Sequence, residues 1–84
     1  MTRHDLKVHP QFWPGLLAGN KRFELRRNDR GFKVGDELCL HKYDPTHGMT
    51  GARLTVRVTY MLLPEDCPGL MAGFCILGIS YEIG

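Results

Sequence analysis

The chain has 84 residues, 43% hydrophobic and 24% charged, with a formal net charge of +2. That length holds one small domain spanning 1–84, its composition excludes disorder, and its charge is too low to hold long duplex nucleic acid by bulk attraction. Cys39, Cys67 and Cys75 are odd in number and form no Cys-x-x-Cys pair, which excludes a disulfide framework and points to a reduced, cytoplasmic setting.

In chain order, Leu6 and Val8 alternate with Lys7 and His9 and predict a short first strand. Pro10 opens a helix, where a missing N–H has no partner to lose. Phe12, Trp13, Leu16 and Leu17 give the helix an apolar face, and Gly19 ends it. At about eight residues it does not hold alone and should lie across a barrel mouth. Residues 22–27 form the second strand. There Phe23 and Leu25 alternate with Arg22, Glu24 and Arg26, which predicts the two apolar side chains in the core and the three charged ones on a cleft wall. Lys21 has the wrong parity for that wall but sits at the turn into the strand, where a glycine-led bend could redirect it, which spacing alone does not show. Residues 28–31 and 34–36 are turns. Leu38 and Leu40 alternate with Cys39 and His41 in a strand reaching about Tyr43. Residues 44–51 read as the longest flexible loop, a candidate binding loop. Leu54, Val56, Val58, Tyr60 and Leu62 then alternate with Arg53, Thr55, Arg57, Thr59 and Met61, and half of this strand faces water or ligand. After a breaker at 64–69, residues 74–83 are apolar on both faces and predict a central closing strand, with Gly78 marking a bulge or bend. Five short strands and one helix give a small mixed β-barrel with few open edges.

The charge is unevenly placed. Six of the eleven cations (Lys21, Arg22, Arg26, Arg27, Arg30 and Lys33) fall in thirteen residues, opposed only by Glu24 and Asp29. Such a patch suits a small anionic ligand or a short nucleic-acid segment. An arginine beside a glutamate is held as a fixed fork, and its remaining donors suit a phosphate or a base edge. Four histidines and three cysteines lack the tight spacing of a structural zinc site. Cys39 and His41 share a strand face, but two residues do not make a site, so neither metal nor cofactor is expected. No apolar run reaches the ~20 residues a membrane span needs.

The run Gly19-Asn20-Lys21-Arg22-Phe23-Glu24-Leu25-Arg26 fits the pattern Gly-x-Lys-x-x-Glu-x-Arg. His4-Asp5-Leu6-Lys7 lies upstream, and Phe32-Lys33-Val34-Gly35-Asp36, Val56-Arg57-Val58-Thr59-Tyr60 and Phe74-Cys75-Ile76-Leu77-Gly78-Ile79 follow. Over nearly the whole chain this order resembles a short branch of the ASCH family, whose fold resembles the PUA-type barrels. The resemblance implies a mainly β, PUA-like barrel with one or two short helices. It also implies RNA, or a nucleotide unit from it, as the guest of a cleft lined by Lys21, Glu24 and Arg26. Arg22 and Arg57 are further expected contacts, and Tyr43, bordering the loop, is the expected stacking residue. Phe12 and Trp13 are expected in the core. Glu24 is placed to accept from an exocyclic amine of cytosine or guanine.

Two other functions stand beside this one. One subset of ASCH proteins is known as amidohydrolases acting on acylated cytidines. There a lysine matching Lys21 works with a threonine, where this chain has Glu24, and with a distant glutamate. The later carboxylates here are Glu65, Asp66 and Glu82. Ribonuclease activity is ascribed to other relatives, and His4, Lys21 and Arg26 could supply a base and a phosphate clamp. An enzyme of either kind would use Lys21 and Glu24 catalytically. The third reading is a structural or interaction module, in which Glu24–arginine pairing only holds the barrel shut. A monomer is the default.

Overall fold

A computed structural model describes residues 1–81. Its strands are β1 (Arg3–Val8), β2 (Phe23–Arg27), β3 (Glu37–Asp44), β4 (Gly48–Leu62) and β5 (Phe74–Ser80). They form one sheet in the order β1-β3-β4-β5-β2, curled into an open half-barrel. Among the described residues only the β1–β3 pair is parallel. The mainly β, barrel-like architecture is the one expected, and β5 is a central strand as its two apolar faces require. Its predicted continuation to Ile83, like Glu82, lies outside the described residues. No helix among the described residues is long and apolar enough to cross a membrane.

The chain closes its core from three sides. Leu38, Leu40, Val56 and Leu77 face inward from the middle strands with no exposed surface, and Phe32 seals one end. Trp13 and Leu16 come down from a 3₁₀ turn, Pro10–Phe12, that runs into the helix α1 (Trp13–Leu17). Each proline sits in a first turn, where it is tolerated. So short a helix presents one narrow side. Positions 13 and 16 fill it, and Phe12 and Leu17 stay in solvent.

Two strand expectations are corrected. The predicted loop at 44–51 is mostly strand. Asp44 accepts from Thr46 N at 2.8 Å and lies 3.2 Å from His47 Nδ1, which tightens the reversal to the three residues between β3 and β4. In β4 the inward set changes parity. Val58 pairs with Ile79 but Tyr60 pairs with Gly78, leaving Thr59 as an extra residue in a bulge. Beyond it Tyr60 is 65% exposed, and Met61 and Leu63 pack on the core instead. Gly78 is needed opposite the bulge, where an added Cβ would stand 3.2 Å from the Tyr60 Cβ.

A buried polar clamp ties the amino-terminal strand to the turn before β3. The Asp36 carboxylate accepts from Thr2 N at 3.1 Å and Lys33 N at 3.0 Å, and lies 2.9 Å from His4 Nε2. The His4 ring packs edge-on against Phe32, 4.7 Å between centroids. His4, a candidate base on the sequence, is thus occupied in the core.

Candidate functional site

The sheet order leaves β1 and β2 as its two edges, which face each other across a seam with no strand pairing among the described residues. Strand β2 shows the alternation expected of it, but with the opposite sense. Phe23 and Leu25 are 47% and 55% exposed, and Glu24 is 4% exposed and points inward. The inward carboxylate is tolerated because it is paired, as a buried charge must be. Arg26 Nε donates to Glu24 Oε2 at 3.2 Å and Lys21 Nζ donates to Glu24 Oε1 at 3.4 Å.

Lys21 reaches this row through the turn that ends α1. Gly19 takes φ +80°, a conformation that favours glycine, and reverses the chain. Asn20 and Lys21 then both donate their backbone N–H to Gly15 O at 2.9 Å. The Lys21 ammonium folds back onto Phe23 O at 2.8 Å. It lies 4.7 Å from the Phe23 ring centroid and 5.5 Å from that of Phe12. The Tyr81 hydroxyl, within reach of Leu16 O and Lys21 O, pins the same turn from below.

Between the seam edges lies a solvent-open hollow of about 380 Å³, within the ~300–1,000 Å³ range of small-ligand sites. Lys21, Glu24 and Arg26 form its polar part, Phe12, Phe23 and Leu25 its apolar part, and Lys7, Val8 and His9 its β1 side. Arg26 crosses the seam, donating from Nη2 to Lys7 O at 2.8 Å.

Residues 3–79 match the domain family described as "Domain of unknown function (DUF3850)". The chain belongs to this family. It is also similar to the "Uncharacterized 12.9 kDa protein in GpA 3'region" of Escherichia phage P2, 37% identical over 57 residues, which are 67% of this chain and 50% of that protein. The chain therefore spans about half the length of the curated relative it matches. The stretch that defines the DUF3850 match takes in both seam strands and every residue lining the hollow.

Within this DUF3850 domain the site residues proposed from sequence divide into two groups. Lys21, Glu24 and Arg26 converge. Arg22 turns back to donate to Gly19 O at 2.8 Å and does not line the hollow. Arg57 faces away, donating to Gly35 O at 3.1 Å and lying 3.9 Å from its cross-strand neighbour Glu37. Tyr43 stands one side chain back, with the Lys7 ammonium 4.7 Å from its ring centroid. Lys7 and His9 were readable only as outward positions of a first strand, because their seam partners are distant in sequence.

A second hollow, about 480 Å³, opens on the other side of Arg26 and is lined by Asp5, Lys7, Arg26, Arg30, His41 and Met49 among others. Beneath it the β1–β3 register sets Asp5 beside Cys39, so that single ligand atoms of Asp5, Cys39 and His41 lie within 4.8 Å of one another. Asp5 is the third member that the sequence reading lacked. Its Oδ1 is already taken by His41 Nε2 at 2.9 Å and Arg3 Nη2 at 3.4 Å. These donors hold the Asp5 carboxyl below the usual range, His41 most strongly.

Proposed function

We propose that this domain binds RNA, or a nucleotide unit of it, in the hollow lined by Lys21, Glu24 and Arg26, as the ASCH-like signature implies. One observation carries the reading. Two phenylalanine rings, each more than two-fifths exposed, flank a lysine–carboxylate–arginine row at the rim of a hollow open to solvent. Exposed aromatic faces beside fixed donors and an acceptor suit an unstacked base. Phe12 and Phe23 take the stacking role first given to Tyr43. Each Glu24 oxygen keeps a lone pair for an exocyclic amine.

A hydrolase in the same place draws less support. Among the described residues Glu24 is the one carboxylate lining the hollow, and both of its oxygens already accept from cations. A structural role is favoured by the Arg26–Lys7 bond, which closes the seam whether or not a guest is present. Binding and closure are separable.

Short fluorescent single-stranded RNAs, titrated at rising salt, test the reading. Affinity should fall steadily with salt, and Lys21→Ala should weaken binding by about tenfold or more, as loss of a charge-assisted contact does. Full-strength binding by Lys21→Ala together with Phe23→Ala, in a chain whose melt is unchanged, would overturn it.

A further inference from the structure

We infer that the second hollow is a phosphate subsite, so that the guest is a nucleotide seated across Arg26, with its base in the first hollow and a phosphate in the second. The inference rests on the base-binding reading above and adds the anion's place.

The two hollows share Lys7 and Arg26 as walls. The guanidinium between them is fixed on one side only. Arg26 uses Nε on Glu24 and Nη2 on Lys7 O, and its Nη1 has no hydrogen-bond partner among the described residues. Arg30 is anchored in the same manner, donating from Nη1 to Asp5 O at 3.1 Å. Asp5 and Lys7 are two residues apart on β1, so the two anchors stand ~6.6 Å apart along the strand. Two planar forks at that spacing, each with donors to spare, can hold one tetrahedral oxyanion between them. Lys7 adds a third cation, its ammonium steadied over Tyr43. Among the described residues the carboxylate in this lining, Asp5, is turned onto Arg3 and His41, so three cations face the hollow against one partnered anion.

Among the described residues the first hollow, mainly apolar, has no comparable row of donors: Lys21 Nζ gives two of its three to Phe23 O and Glu24 and keeps one for the base. Division of labour follows: ring faces and Glu24 for the base, Arg26, Arg30 and Lys7 for the phosphate.

Calorimetric or NMR titration of the full chain with cytidine and guanosine, their 5′- and 3′-monophosphates, the dinucleoside monophosphate CpG and inorganic phosphate tests this. One monophosphate series should bind about tenfold or more tighter than its nucleoside at low salt. Arg30→Gln, which keeps a donor for Asp5 O, should cut that ratio to about threefold or less. The dinucleotide arm separates a chain phosphodiester from a free nucleotide's monoester. Equal affinity of nucleoside and both monophosphates, in a chain that binds nucleosides, would overturn the phosphate subsite and leave the base reading standing. Inorganic phosphate shifting the Arg26 and Arg30 side-chain signals, with no nucleoside bound, would uphold the subsite and sink the base reading. Silence toward every ligand would sink both.

Discussion

Glu24 is a carboxylate kept inside a small half-barrel by two cations that themselves reach solvent, with side chains 19% and 22% exposed. Glu24→Gln keeps the shape and removes the charge, while Lys21 retains Phe23 O and Arg26 retains Lys7 O. The expected loss is about 1–3 kcal/mol, a fall of roughly 4–8 °C in Tm per kcal/mol for a domain of this size. A thermal melt reads it, and an unmoved Tm would show that the charge is not what holds the position. The alternation around Glu24 was legible in the sequence, but its sense was not. A period of two defines two faces without saying which is inside. Here the interior side is an unpaired edge at a barrel mouth, where a neutralised carboxylate fits and Phe23 and Leu25 do not have to be covered. Parity alone sets Lys21 off that face, and the Gly19 reversal just before it brings it back, the glycine-led bend that the sequence allowed.

At the level of elements, the bulge at Thr59 and the Asp36 clamp each make a prediction. Strict alternation puts Tyr60 inside, and the bulge puts Met61 there. Tyr60→Ser should therefore change stability by no more than ~0.5 kcal/mol, and Met61→Ser should cost about 1–2 kcal/mol. Denaturant titration of the two variants decides, and the reverse order would remove the bulge from the account. Nothing in the composition of residues 59–63 marked the phase change, because one inserted residue leaves a pattern that still alternates. The hairpin at 44–51 was missed for a different reason. Its glycines and proline read as a loop, and only the local Asp44 bonds show how little chain the reversal takes. Burial pulls the Asp36 carboxyl up, but the donors from His4, Thr2 and Lys33 outweigh it and hold the group below the usual carboxylate range. Its contribution is therefore full above the unfolded value of about 3.9 and is lost as pH falls through the lower folded value. Asp36→Asn should flatten the stability profile in that acid window relative to the parent chain. Parallel profiles for the two proteins from pH 5 to pH 2 would contradict the clamp.

Across the whole molecule, the seam between β1 and β2 connects structure to function. A closed barrel would have strand pairing there. This one has Arg26 and Arg30 donating to the β1 carbonyls of Lys7 and Asp5, and hollows on either side. Replacing both arginines by alanine should speed amide hydrogen exchange in β1 more than in β4 and β5, since seam opening is local. Uniform or unchanged exchange would mean the edge holds without them. The mainly β fold followed from strand periodicity, but the seam could not, because Lys7 and Arg26 are brought together only by the sheet order. The central claim is that these edges frame a place for a guest. Its most direct test is an amide chemical-shift map of the labelled chain titrated with a short single-stranded RNA at low salt. The account predicts saturable shifts centred on residues 7–9, Phe12 and 21–26, weakening as salt is raised. Saturation with shifts confined to the far side, around Arg57 and Glu37, or no shifts at all, would contradict it.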